Sequence, residues 1–346
     1  LLDAADLLIY YGWMSFNLGH GPRLAYLAQE VMRQCDWKRT PESECGGLLL
    51  YHFLTTFLGK AVDAEKRAAD FQHILTLADE GKITLQPATE MHPIHMLMVH
   101  HMNHQRFEEA RAVLATSTRR LEVYQHSQVD VQASLLAHRA LLLAKWSNYR
   151  EEQESVESVL SMREKVIALY RQCCGLLSNA SEASPLRSHL LKKRLSAYLN
   201  ELGCHLTRNG QAAEALPFLE RSIALGEQGY CNFGALAAAY GDISQALMDL
   251  GRLEEALFFD EKAMTEVQRC AESGEVFSQD EVWIYHVNRG QLYLRLGRID
   301  EAEQLLQEAE PRIHPRRSVY RMFARRALKE IEHRRGQASP EQEIDR

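Results

Sequence analysis

A chain of 346 residues is long enough for two or three ordinary domains, or for one stacked repeat array. Its composition, 46% apolar and 25% charged with only 19 Gly and 9 Pro, excludes general disorder. A formal net charge of -7, with acidic and basic residues interleaved, argues against nucleic acid as a partner. No apolar run reaches the roughly 18 residues that a membrane span needs. The longest, Leu48 to Leu58, is broken by His52, Thr55 and Thr56. Leu1 to Tyr11 contain Asp3 and Asp6 and no basic leader, so they do not read as a secretory signal, and the expected compartment is the cytoplasm. The start at Leu1 instead of Met is expected of a piece cut from a longer polypeptide or of a processed chain. Cys35, Cys45, Cys173, Cys174, Cys204, Cys231 and Cys270 fall mostly inside helical patterns, where they are expected to pack as small apolar residues in a reducing compartment.

Taken in chain order, the apolar periodicity predicts seven helix pairs, at about 1–36, 41–80, 88–125, 128–178, 186–227, 231–273 and 278–310, and a closing helix at about 315–335. Weak turn signals mark the early pairs at Gly19 to Pro22, at Gly59-Lys60 and at Trp146 to Tyr149. Thr40-Pro41 has the cap and first-turn proline of a helix start. Asn103 to Ala110 supplies a clearer turn. The polar cluster Ser178 to Pro185 is expected to be an insertion or a joint. Four regions result: divergent pairs over 1–178, firmer repeats over 186–310, a capping helix over 311–335 and a frayed tail over 336–346.

Three segments of the C-terminal half align without gaps: Asn200 to Ala215, Gly241 to Ala256 and Val287 to Ala302. Each carries a Gly followed five residues later by an Ala, namely Gly210 and Ala215, Gly251 and Ala256, Gly297 and Ala302. The pattern resembles the tetratricopeptide repeat, in which a Gly ends the first helix and a small residue lets the second cross it closely. Gly290, Tyr293 and Ala309 strengthen the third copy and Leu202-Gly203 the first, whereas the second departs with Ile243-Ser244. Equivalent Ala residues lie 41 and then 46 apart, against about 34 in the standard repeat, so the helices are expected to be longer. The resemblance implies an all-α fold, a right-handed superhelical solenoid of antiparallel helix pairs with first helices lining a concave groove.

On that register the groove positions fall on His92, His95, Met102 and Asn103 in the third pair and on Lys145 in the fourth. They continue through Asn200, Cys204 and Arg208 in the fifth, Gln245 and Asp249 in the sixth, and Asn288, Gln291 and Arg295 in the seventh. Amides can pair with both groups of an extended main chain, and Arg can fork onto a carboxylate. The set does not reproduce the Lys/Asn/Arg clamp with which some tetratricopeptide domains hold a C-terminal carboxylate.

Other candidates each have a plain reading. His92, His95, His100, His101 and His104 sit on one predicted helix, and His100 with His104, or His92 with His95, could face a metal together. Glu90 is the one near acid in sequence, so the plain reading is partly exposed helix histidines and no metal. Cys173-Cys174 reads as buried packing, and the basic run holding Arg316, Arg317, Arg321, Arg325 and Arg326 as the solvated face of a cap. No phosphate-cradling loop, His-Glu-x-x-His or Gly-x-Ser-x-Gly occurs. No enzyme activity, cofactor or metal requirement is expected.

The long-period repeats also resemble the C-terminal arrays of bacterial signal-transduction ATPases with numerous domains. That resemblance implies a sensor or partner-binding arm, with a protein or peptide ligand or other domains of its own full-length chain as partners. The alternatives are a stand-alone peptide-pheromone receptor and a metal-dependent enzyme using the His92–His104 cluster.

Overall fold

In the computed structural model the described residues are 39–57, 62–121, 129–150, 155–183, 188–273, 279–313 and 318–338, with Tyr26, Gln29, Glu30, Arg33 and Asp36 before them. They form thirteen α-helices and no strand. In chain order these are α1 (Pro41–Phe57), α2 (Ala64–Asp79), α3 (Pro87–Asn103), α4 (Phe107–Leu121), α5 (Val129–Arg150), α6 (Val156–Ala183) and α7 (Ser188–Arg208). Then follow α8 (Ala212–Leu225), α9 (Phe233–Asp249), α10 (Leu253–Ser273), α11 (Gln279–Arg295), α12 (Ile299–Ala309) and α13 (Ser318–Ala338). The chain divides into two compact units, Leu1–His205 and Leu206–Arg346. Most of the first expected pair and the turns at Gly19 to Pro22 and Gly59-Lys60 lie outside the described residues.

Helix starts follow local chemistry. Pro41 opens α1 as expected, and the Thr40 hydroxyl oxygen accepts the Ser43 N–H at 3.2 Å. The Asp63 carboxylate accepts the Lys66 N–H at 2.8 Å to start α2, and the Asn232 side chain accepts the Ala235 N–H at 2.9 Å to start α9. The polar stretch from Ser178 does not interrupt the chain at once, since α6 continues through it to Ala183.

Four pair turns share one geometry. Gly210, Gly251 and Gly297 adopt φ of 76°, 75° and 78°, and in the turn between α3 and α4 it is Gln105, at φ 60°, that takes the left-handed conformation. In each, the next residue's N–H reaches back to a carbonyl five residues earlier: Arg106 to His101 (2.8 Å), Gln211 to Leu206, Arg252 to Leu247 and Arg298 to Tyr293 (2.9 Å each). These are Schellman closures, which satisfy the last carbonyls of the first helix. Five residues after each left-handed position stands a fully buried alanine: Ala110, Ala215, Ala256 and Ala302.

The crossing depends on small residues on both helices. A methyl placed on Gly290 of α11 would lie 2.7 Å from the Leu306 side chain of α12. At the equivalent place in α9, Ser244 keeps the close approach and donates its hydroxyl to the Ala256 carbonyl at 2.8 Å. That is why this repeat can depart from glycine. Ala215→Leu, Ala256→Leu and Ala302→Leu are each expected to lower stability by about 1–3 kcal/mol through overpacking. Thermal melts check this, and three unchanged midpoints would move the crossing to other residues.

Within the first unit, Ile94, Met98 and Met102 of α3 pack with Phe107 and Leu114 of α4 and with Val131 and Leu135 of α5. Within the second, α13 closes the last pair, with Ala324, Ala327 and Ile331 against Val287, Leu294 and Leu306. This apolar seal removes the face that the last pair would otherwise expose.

Candidate functional site

The three aligned first helices present equivalent positions at the same register. Asp242, Gln245 and Asp249 on α9 correspond to Asn288, Gln291 and Arg295 on α11. Counted from the left-handed glycine, each trio stands nine, six and two residues before it, so one face of each helix carries all three. Asp242, Gln245, Asn288 and Gln291 are half-buried, and Asp249 and Arg295 are exposed. The intervening positions Ile243, Ala246, Leu247, Leu292 and Leu294 are buried.

The end of this polar column opens on a cleft of about 560 Å³ in the second unit, lined by Gly210, the first turn of α8 from Gln211 to Glu214, Asp249, Leu250 and Arg295. Its polar groups are held in place. The Gln245 amide donates to Asp249 Oδ1 at 2.9 Å, and Arg295 donates from Nη1 to the Met248 carbonyl at 3.0 Å. Arg295 Nη2 lies 3.9 Å from Asp249 Oδ1. Across the cleft the Asn209 amide donates to Gln211 Oε1 at 3.0 Å, and the Gln211 amide to Glu214 Oε2 at 3.1 Å. Leu250, 39% exposed, adds an apolar spot between them. Such a surface offers an oriented guanidinium, amide donors and acceptors, two carboxylates and one aliphatic contact, which is recognition chemistry.

Of the residues expected in the groove, Arg295 lines the cleft; Arg208 is exposed and stands two residues before Gly210, and it is not among the lining residues. Asn288 and Gln291 continue the column along α11. Asn200 belongs elsewhere: it aligns with Gly241 and with Val287, which is fully buried, and its own amide oxygen is buried. Glu201, exposed, holds the position equivalent to Asn288. Asn103 and Lys145 are exposed in the first unit. His95 turns inward, its Nδ1 lying 3.0 Å from His138 Nε2, while His138 Nδ1 donates to the Ser134 carbonyl at 2.6 Å. Two neutral rings in series satisfy that arrangement, and burial pushes His138 down to about 3. Leu250 and the α8 first turn were missed because sequence reading looks along helix faces, and these line the cleft from the turns.

The histidine run splits by position. His92 packs edge-on against Phe71, and burial pushes it down to about 4. His100 and His104, one turn apart, lie at the outer end of α3 with their rings 4.5 Å apart. Glu90 is buried, and desolvation raises its carboxyl to about 7. The Cys173 thiol is buried, donates to the Ala133 carbonyl at 3.3 Å and is pushed up to about 12, as a packing cysteine is. In the C-terminal basic run, Arg325 pairs with Glu310 at 2.7 Å and Arg321 donates to the Ile313 carbonyl, so both serve the cap. Arg316 and Arg317 lie outside the described residues.

Comparison with known proteins agrees with this architecture. The tetratricopeptide repeat family model matches residues 283–308, which cover most of α11 and nearly all of α12. No curated protein matches the chain. Among solved structures, BtubC (BKLC) from P. vanneervenii is 13% identical and superposes with a TM-score of 0.53 over 73% of this chain and 91% of its own. At that identity the likeness concerns the fold. A putative kinesin light chain from Podosopora anserina with nearly identical TPR-like repeats is 16% identical, with a TM-score of 0.43 over 66% of this chain and 97% of its own. A signal transduction ATPase with numerous domains and a tetratricopeptide repeat sensor, from Pyrococcus horikoshii, is 14% identical, with a TM-score of 0.48 over 91% of this chain and 41% of its own. The described residues form an array of tetratricopeptide-type helix pairs.

Proposed function

We propose that the chain is a protein-interaction module, and that its second unit holds an extended peptide segment along the polar column of α9 and α11 and in the cleft at Arg295. The observation that carries this reading is the register-matched column of Asp242, Gln245 and Asp249 beside Asn288, Gln291 and Arg295, flanked by buried apolar positions. Amides spaced one turn apart on neighbouring repeats can pair with successive groups of an extended main chain. Arg295 supplies the counter-charge for a carboxylate, and exposed Arg208, two residues before the cleft-lining Gly210, offers a second guanidinium. Glu214 and Asp249 stand close by, so the cleft has mixed charge and suits a peptide bearing both signs better than a polyanion. We further infer that the module works as the sensor or partner-binding arm of a larger bacterial signal-transduction or transcription regulator, on the resemblance of its long-period repeats to the arrays of such proteins.

The test screens a library of short mixed-charge peptides by fluorescence polarisation and carries the best binder into mutants. Losing a well-formed charged contact costs about 2 kcal/mol or more, so Arg208→Ala with Arg295→Ala is expected to weaken the peptide at least ~30-fold while helicity is kept. An unchanged dissociation constant in the folded double mutant would place the site in the pair α3 and α4 or on the outer helices.

A further inference from the structure

Sequence alone offered Glu90 as the acid nearest the histidine run; the folded chain brings another. Glu65, in the first turn of α2, stands beside the last turn of α3, with Oε2 3.5 Å from His100 Nε2 and Oε1 3.6 Å from His104 Nε2. One ligand atom from each of the three residues can be chosen so that all lie within 4.8 Å of one another. We propose that Glu65, His100 and His104 form a binding site for a borderline divalent transition-metal ion of the zinc, cobalt or nickel kind, and that Arg106 is its built-in competitor.

The donor set is chemically apt. Two imidazole nitrogens and one carboxylate oxygen suit these ions, and three protein ligands leave one position open for water or another ligand. Bonds of ~2.0–2.1 Å to a tetrahedral ion imply ligand–ligand edges of roughly 3.3 Å; each histidine nitrogen lies near that distance from one of the two Glu65 oxygens, and a set with one atom from each residue spans up to 4.8 Å, so the three side chains close in by small rotations on binding. His100 stands in the last turn of α3 and His104 is the residue that caps it, and their rings lie together with centroids 4.5 Å apart. His104 is also oriented: its Nδ1 donates to the His100 carbonyl at 2.8 Å, which leaves Nε2 as the lone-pair nitrogen facing Glu65. Glu65 and His104 are exposed, so an ion has a path in.

Arg106 sets the terms of access. Its Nη2 donates to His100 Nε2 at 2.6 Å, using the lone pair that an ion would need. A bound ion therefore displaces a guanidinium and then sits beside its charge, and both effects weaken binding. The imidazole is ready for the exchange, since accepting that hydrogen bond requires the neutral form with Nε2 unprotonated. Occupation would tie the start of α2 to the end of α3 and stabilise the first unit by mass action.

The test is titration of the full chain with Co(II), followed by visible absorption, with Zn(II) as the competing ion. The expected result is one equivalent with d–d bands of low-symmetry nitrogen and oxygen coordination and no thiolate charge-transfer band. Since even outer-shell partners of a metal site change affinity by about 10–100-fold, Glu65→Gln and the His100→Ala, His104→Ala pair are each expected to weaken binding at least ~100-fold. Glu65 is exposed, so its substitution keeps the fold. Arg106→Met is expected to tighten binding roughly tenfold, because it frees the His100 Nε2 lone pair and removes a neighbouring positive charge. A cobalt signal unchanged in the histidine double mutant, a signal carrying only thiolate character, or weaker binding in Arg106→Met would overturn the proposal.

Discussion

Asp260→Ala is expected to destabilise the second unit by about 3–5 kcal/mol, the usual cost of breaking a buried ion pair from one side. Asp260 of α10 is 5% exposed at its side chain and Arg289 of α11 20%, with Arg289 Nε donating to Asp260 Oδ2 at 2.5 Å. A second guanidinium nitrogen reaches the Asp260 carbonyl at 3.4 Å. The pair thus ties one repeat to the next. Burial raises the Asp260 carboxyl even though Arg289 draws it down, so desolvation outweighs attraction and the pair adds little net stability over an apolar one. Truncation is different, because it leaves the guanidinium inside without a counter-charge. Asp260→Leu with Arg289→Met is therefore expected to return to within ~1–2 kcal/mol of wild type. Urea unfolding followed by far-ultraviolet circular dichroism measures both. A single mutant as stable as wild type would show that Arg289 swings to solvent at no cost.

Acid is expected to weaken the first unit. His92 and His138 are held down to about 4 and about 3 when folded, chiefly by burial, and His95 is lowered for the same reason. A histidine depressed in the folded state leaves stability intact above its unfolded value near 6.5, and the loss grows as pH falls towards the folded value. Glu90 acts with the opposite sign. Raised to about 7, it disfavours folding above its unfolded value, so acidification relieves it. Between pH 7 and about pH 5 the two strongly shifted histidines cost about 2 kcal/mol each and Glu90 returns about 2, a net loss of about 2 kcal/mol. Thermal melts across that range, with His138→Gln as a partial control, should show the midpoint falling with acid in the wild type and falling less in the mutant. A level midpoint in the wild type would mean that these rings protonate in place.

The repeat core was legible because it rests on local constraints that leave marks in composition. A left-handed turn selects Gly at Gly210, Gly251 and Gly297, and the crossing five residues on admits only a small side chain, hence Ala215, Ala256 and Ala302. At Gln105 the first mark is missing although the backbone is the same, and the early repeats were correspondingly harder to place. Of the candidate cleft, Arg295 could be read from register, but Asn200 was set one position off the column, and a shift of one residue on a helix turns a side chain by about 100°. Pairs such as His95 with His138, 43 residues apart, or Glu65 with His100, leave no periodic signal. They arise only when one helix is laid on another.

Within each unit, the substantial packing joins a helix to its next or next-but-one neighbour, as α9 with α10, α11 with α12 and α11 with α13. Contact order is therefore low and little chain must be closed into loops before contacts begin to reward it, which is the topology of rapid folding. Any one hairpin can nucleate, and order spreads from it by addition of adjacent hairpins. Damage is confined by the same rule, since a lesion loosens its immediate neighbours while more distant hairpins lose none of their own contacts.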